Sequence, residues 1–167
     1  MRMKGNKLSH DFSNTEITEP PGFLYVDHIA IAVCTGELEN NVKMYKQIGF
    51  KELHREEIEG TDQVREVLLK IGDSPNLIQL LEPLSMDSPV QKQIDRNNGK
   101  GGLVHVGLKV KNAQAAFDFM KTEGFHIIDK APRPGSRGTT VFFIHPKSHD
   151  DTSFGVLYEV VEDKNNS

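Results

Sequence analysis

Two histidines, a glutamine and a glutamate occupy matching positions in the two halves of the chain. His28 lies in VDHIAIAV and His105 in LVHVGLKV, while Gln79 lies in LIQLLE and Glu159 in VLYEVVE. Imidazole nitrogens together with amide and carboxylate oxygens suit a borderline or hard divalent ion. One carboxylate and three neutral ligands would leave such a site with a net positive charge, so it could stabilise an oxyanion on a bound molecule.

The residues around the two histidines predict how strands would present them. Side chains alternate between the faces of a strand, so His28 shares a face with Ala30, and His105 shares a face with Gly107. The opposite face of each strand is aliphatic and is expected to pack under helices. The histidine faces would then line the concave side of a curved sheet, where the small neighbours leave space for a ligand. By the same alternation Val104, next to His105, is expected to face away from that side.

The chain repeats one βαβββ pattern, and this repeat predicts the fold. Each half reads as an opening strand, a helix ending at Gly-Phe, and three further strands. In the first half these strands are about KELHREEI, VREVLLKI and LIQLLE; in the second they are FHIIDKA, TTVFFIH and GVLYEVVE. We therefore predict an α+β fold, in which two pseudo-symmetric βαβββ modules form a curved mixed sheet around a metal site. A pseudo-twofold relation between the halves would bring His28, Gln79, His105 and Glu159 to one point.

Local signals set the limits of this domain. Leu38, Val42 and Tyr45 recur at helical spacing, Asn112 is a plausible N-cap, and Ser88 before a proline predicts the start of a linking helix. We predict one domain over 23–162, with tails at 1–22 and 163–167. Its parts are a first module at about 24–84, a linking helix at about 88–98 and a second module at about 103–162.

Composition narrows the functional classes. The 167 residues carry a net charge of −4, which gives no electrostatic case for nucleic acid. The single cysteine, Cys34, excludes an internal disulfide and a zinc site built from several thiolates. No apolar run approaches the length of a membrane span, and the amino terminus lacks the apolar core of a signal peptide. The expected location is the cytoplasm.

Several motifs together resemble the methylmalonyl-CoA epimerase family of the vicinal-oxygen-chelate superfamily, which also contains glyoxalase I. They are VDHIAIAV, IQLLEPLSMDSP, GGLVHVGLKV, PRPGSRG, HPKS and GVLYEVVE. The resemblance implies the glyoxalase fold, metal ligands at His28, Gln79, His105 and Glu159, and one divalent ion per chain (cobalt, manganese, nickel or zinc). It also implies acid/base roles for Glu66 and Glu159, an acyl-CoA substrate and a homodimer. The implied reaction is epimerisation of the α-carbon of methylmalonyl-CoA through an enolate.

Other functions of the same superfamily stay open. A glyoxalase I-like lyase or isomerase acting on a thiol hemiacetal resembles this arrangement but has a second glutamate where this chain has Gln79. An extradiol dioxygenase uses two histidines and one glutamate around iron, so an added glutamine ligand argues against it. A binding module of the bleomycin-resistance type shares the fold but generally lacks the metal ligands.

The remaining polar residues carry weaker predictions. Arg133 and Arg137 in PRPGSRG are candidates for contacting a phosphate or carboxylate, with solvated loop charge as an equal alternative, and the same holds for Lys147. Five histidines show no paired pattern and are expected at the surface or in loops: His10, His54, His126, His145 and His149.

Overall fold

The structure, a computed structural model, describes residues 22–147 and 153–163, and its centre is one eight-stranded mixed sheet. The strands are β1 (Phe23–Ala32), β2 (Phe50–Ile58), β3 (Val64–Ile71), β4 (Leu77–Pro83), β5 (Gly102–Val110), β6 (Arg133–Pro134), β7 (Thr140–Ile144) and β8 (Leu157–Glu162). The helices are α1 (Leu38–Gln47), α2 (Pro89–Arg96) and α3 (Ala113–Thr122), with one 3₁₀ turn at Ser136–Gly138.

The strand order β2-β3-β4-β1-β5-β8-β7-β6 carries the repeat of the sequence. Each opening strand pairs in parallel with the last strand of its own half, β1 with β4 and β5 with β8. The two opening strands then pair with each other in antiparallel fashion at the centre. The sheet curls into a half-barrel, so the predicted α+β fold of two pseudo-symmetric modules is confirmed.

Two of the three helices seal the outer face of the sheet. Leu38 and Val42 of α1 pack with β3 and β4, and Phe117 and Met120 of α3 pack with β7 and β8. Each fully buried aliphatic or aromatic side chain contributes about 1.5–3 kcal/mol to stability. The third helix, α2, packs against small residues of β1 on the inner side, where Val90 contacts the cluster that contains Ala30 and Ala32.

The starts of α2 and α3 follow the predicted capping. The Ser88 hydroxyl accepts a hydrogen bond from the Val90 amide at 3.2 Å, and a proline follows Ser88 as the first helical residue. The Asn112 side-chain oxygen accepts one from the Ala115 amide at 2.7 Å. Both side chains satisfy amide donors that have no partner within the first helical turn.

One predicted strand is wrong. The segment FHIIDKA does not form a strand; it contributes a single bridge from Ile127 to Ile144, and only the two residues of β6 pair with β7 beyond it. The carboxylate of Asp129 accepts a hydrogen bond from the Phe143 amide at 2.7 Å. A side chain thus takes the place of the backbone carbonyl that a neighbouring strand would offer. The prolines on either side of Arg133 also lack amide donors.

The predicted tails lie almost entirely outside the described residues, as do His10, His149 and the turn after Lys147. None of the helices within 22–147 and 153–163 is long and apolar enough to cross a membrane.

Candidate metal centre

A bulge in β1 places His28 and the residue before it on the same side of the sheet. Val26 pairs with Leu108 and His28 with Gly107, so Asp27 is the extra residue in β1. Both side chains are consequently buried, with Asp27 4% and His28 1% exposed. The Asp27 carboxylate lies 2.9 Å from His28 Nδ1, which turns the Nε2 atom of His28 toward the interior.

A second bulge shapes the strand that carries His105. Ala30 pairs with His105 and Ile31 with Leu103, so Val104 is the extra residue in β5. The prediction that Val104 faces away is therefore wrong, because the bulge breaks the alternation and places Val104 on the wall of the same cavity as His105.

Gly107 makes room for a protein side chain. A Cβ atom at this position would lie 2.4 Å from Cε1 and 2.5 Å from Nδ1 of His28. The imidazole of His28 therefore fills the space beside Gly107, whereas the sequence suggested that this space would hold a ligand.

Three of the four predicted metal ligands converge on one point. The Nε2 atoms of His28 and His105 lie 2.9 Å apart, and Glu159 Oε2 lies 3.2 Å from the first and 3.6 Å from the second. One donor atom from each residue lies within 4.8 Å of the others. β1, β5 and β8 are neighbours in the sheet, which explains why residues so distant in sequence meet here.

Gln79 joins this group through Glu66. On β4, Gln79 Nε2 donates a 2.6 Å hydrogen bond to Glu66 Oε2 on β3, and both residues line the cavity with His105 and Glu159. The bond fixes the orientation of the amide, so its oxygen is free for another partner. Gln79 Oε1 is buried and has no hydrogen-bond partner within the described residues.

The electrostatics of the group favour positive charge at its centre. Burial lowers the pKa of His28, but hydrogen bonds to Asp27 and Glu159 outweigh burial and raise this pKa to about 9. Burial raises the pKa of Glu159, yet hydrogen bonds to His105 and His28 hold it well below its usual range. Burial raises the pKa of the Glu66 carboxyl, so this group is a stronger base than an exposed glutamate.

These residues fit a divalent ion. Two imidazole nitrogens face each other, a carboxylate oxygen approaches both, and an amide oxygen nearby lacks a partner. Asp27 adds what metal-bound histidines usually have, a hydrogen-bond acceptor on the ring nitrogen away from the ion.

A concave, partly open cavity lies beside this group. Its walls are mostly apolar, with Phe143 and Leu157 on one side and Ile58, Val64 and Leu81 on the other. Arg133 reaches the cavity from the second half, where its guanidinium lies over the Phe143 ring.

The three cationic candidates differ in their contacts and in their position relative to the cavity. Arg133 Nε contacts Asp129 at 3.1 Å, and an Arg133 terminal nitrogen lies 3.5 Å from Asp62 of the first half. Arg137 adopts a left-handed backbone with φ of 55°, and its guanidinium lies 3.8 Å from Asp27. Lys147 is exposed and lies outside the cavity.

Sequence reasoning missed two residues that support the site. Asp27 orients His28, and Lys109 is a 2% exposed cation that holds Asp27 from the other side at 2.9 Å. Strand alternation alone places Asp27 on the wrong face. A lysine at an inward position of β5 was the available signal, because a buried ammonium group needs an anionic partner.

Comparison with known proteins assigns the family. The family model of the Glyoxalase/Bleomycin resistance protein/Dioxygenase superfamily matches residues 27–143. The mitochondrial methylmalonyl-CoA epimerase of Dictyostelium discoideum is 31% identical over 139 residues, which are 82% of this chain and 77% of that protein. A solved methylmalonyl-CoA epimerase in complex with methylmalonyl-CoA and NH4+ is 33% identical, with a TM-score of 0.75 over 87% of this chain and 98% of that one.

A variant of the Streptomyces coelicolor methylmalonyl-CoA epimerase in complex with 2-nitronate-propionyl-CoA is also 33% identical. It has a TM-score of 0.74 and covers 85% of this chain and 99% of that one. The chain belongs to the Glyoxalase/Bleomycin resistance protein/Dioxygenase superfamily.

Proposed function

We propose that this protein is an isomerase that epimerises the α-carbon of methylmalonyl-CoA with the help of one bound divalent ion. The observation that carries the proposal is that His105 and Glu159 of the three-ligand group line the same cavity as the Glu66–Gln79 pair. The identities of about 30% to methylmalonyl-CoA epimerases support the choice of substrate.

The reaction needs two acid/base groups. The α-proton of methylmalonyl-CoA lies between a thioester carbonyl and a carboxylate, and its removal leaves a planar enolate. Return of a proton to the opposite face of the plane inverts the carbon. A 2-nitronate-propionyl group is a planar anion that resembles this enolate, and a relative binds a CoA compound that carries it. This binding supports a reaction through the enolate.

Glu66 is our candidate for one of these groups. It is 1% exposed, one of its oxygens accepts the Gln79 amide, and the other has no hydrogen-bond partner within the described residues. The free oxygen is therefore available for the α-proton. Glu159 is the candidate for the other group, because it lies on β8 in the second half of the curled sheet while Glu66 lies on β3 in the first.

His28, Gln79, His105 and Glu159 would hold the ion. A divalent ion would supply positive charge next to the substrate oxygens and so favour the enolate over the thioester form. The identity of the metal stays open among cobalt, manganese, nickel and zinc. Asp27 keeps the Nδ1 proton of His28 in place, so that the Nε2 lone pair faces inward.

Exchange of the α-proton in deuterated water tests the proposal. The protein is incubated with cobalt and methylmalonyl-CoA, and loss of the α-proton signal is followed by NMR. We expect catalysed exchange, and we expect Glu66→Gln to slow it by about 10²–10⁴-fold while cobalt binding by His28, His105 and Glu159 is retained. Glu57→Gln is the matched control, because Glu57 is exposed on β2 and pairs with Arg65.

The same experiment separates the competing functions. Absence of exchange, together with turnover of a glutathione hemithioacetal, would favour a glyoxalase-type reaction. Exchange that is unchanged in Glu66→Gln would leave the substrate assignment standing but remove Glu66 from the mechanism. The homodimer and the cytoplasmic location remain part of the proposal, with sedimentation and cell fractionation as their tests.

A further inference from the structure

A second group of potential metal ligands lies on the concave side of the sheet, in its first half. His54 and Glu56 on β2 and Glu66 on β3 each place one donor atom within 4.8 Å of the others. His54 was expected to be an ordinary surface or loop histidine. Instead its side chain is 34% exposed and turned toward Glu56, with its Nε2 atom 3.2 Å from Glu56 Oε1.

Unpartnered atoms point into this group. Within the described residues three buried side-chain atoms have no hydrogen-bond partner, namely His54 Nε2, Glu66 Oε1 and Gln79 Oε1. The first two belong to this group, since the contact of His54 with Glu56 lacks hydrogen-bond geometry. Glu66 is almost fully buried, so leaving one of its carboxylate oxygens without a partner is costly.

The charge of the group also calls for a cation. Glu56 and Glu66 are direct partners in the antiparallel β2–β3 ladder, and like charges in such a pair are destabilising. Burial raises the pKa of Glu66, although the charge of Arg137 and the nearby Ser136 lower it in part. Arg137 contacts Glu56 only through its backbone amide, at 3.0 Å, and its guanidinium lies 3.8 Å from Asp27. Two carboxylates and a neutral imidazole would balance the charge of a divalent ion and complete a mixed nitrogen and oxygen ligand set.

We propose that His54, Glu56 and Glu66 form a second divalent-cation site, next to the first and linked to it by the Glu66–Gln79 hydrogen bond. The side chains of His54 and Glu56 are each about one third exposed, so water can reach the remaining coordination positions. Ions of the zinc, cobalt and manganese class suit this set of ligands.

Occupation of the second site has a consequence that rests on the proposed function. The ion would take the free oxygen of Glu66, which is then unable to accept the substrate proton. Excess metal is therefore expected to inhibit α-proton exchange, although the first ion is required for it.

Cobalt binding to the whole protein tests the second site directly. Metal-free protein is saturated with Co²⁺ and passed through a desalting column, and bound cobalt is counted by elemental analysis while the visible spectrum reports its coordination. We expect two ions per chain in the unmodified protein and one in His54→Ala and in Glu56→Gln. His126→Ala is the matched control, because His126 is exposed and belongs to neither group, and this variant is expected to retain two ions.

The outcomes separate the two proposals. One ion per chain in the unmodified protein, or two in both site variants, would overturn the second site. Glu56→Gln preserves side-chain shape, so it decides the matter if His54→Ala does not fold. Two ions with the expected variant pattern, but no α-proton exchange even with one cobalt ion per chain, would support the second site and reject the proposed reaction. Exchange that persists at saturating cobalt would reject the inhibition alone.

Discussion

Replacement of Gly107 by alanine tests the packing on which the metal centre depends. The new Cβ atom would lie 2.4–2.9 Å from three atoms of the His28 ring, well inside van der Waals contact. The ring has little room to yield, because His28 is 1% exposed and is held between Asp27 and His105. Overpacking of this kind costs about 1–3 kcal/mol.

A ring that does move loses its hydrogen bond to Asp27 as well. A hydrogen bond to a charged group contributes about 1.5–3 kcal/mol. Metal binding requires the ring in its original place, so the overpacking cost, about 3 kcal/mol at its upper end, opposes binding and corresponds to a loss of metal affinity on the order of 100-fold. We therefore expect Gly107→Ala to bind cobalt about 100-fold more weakly than the unmodified protein.

Competition with a chelator of known affinity measures this loss. Gly36→Ala is the matched control: its Cβ would meet open space, but its φ of +86° makes alanine strained there. We expect this variant to lose about 1 kcal/mol of folding stability and no metal affinity. Equal cobalt affinity in Gly107→Ala and the unmodified protein would refute the packing argument.

Three further predictions concern the residues around the centre. Asp27→Asn removes the anion that orients His28, so we expect metal affinity to fall about 10–100-fold in the same competition assay, and an unchanged affinity would contradict that role. In the metal-free protein the pKa of His28 is raised from 6.5 to about 9, so the folded state holds this proton more tightly. The resulting stability, on the order of 3 kcal/mol, is complete below about pH 6.5 and lost as pH rises through 9; urea unfolding of metal-free protein across this range checks it, and a flat profile would exclude it. Asn112→Ala should lower the free energy of unfolding by about 1 kcal/mol through loss of the α3 cap, without changing cobalt affinity, and thermal unfolding tests this.

The repeat in the sequence was enough to predict the fold. Two histidine-bearing strands, each followed by a helix ending at Gly-Phe, specify two equivalent halves, whereas the pairing of β1 with β5 is known only from the structure. The same reasoning predicted that His28, His105 and Glu159 would approach one another, and the structure brings them together. Hydrophobic periodicity predicts which side chains face inward, because each half must bury one face of its sheet.

Strand alternation failed where the ladder is irregular. The bulges at Asp27 and Val104 turn two neighbouring side chains to one face, and no residue type in the sequence marks either position. The missing strand at FHIIDKA has a similar origin, because Asp129 bonds the Phe143 amide through its side chain. The approach of Glu56 to Glu66 depends on the register of β2 against β3, which periodicity does not specify.

The junction of β1 and β5 also determines how metal binding is linked to the stability of the fold. One repeat provides His28 and Gln79 and the other provides His105 and Glu159, so an isolated repeat offers only two donors. An ion bound by all four would cross-link the repeats, while each repeat already packs its own outer helix without it. Removal of the ion is therefore expected to loosen the association of the repeats before it disturbs the interior of either one.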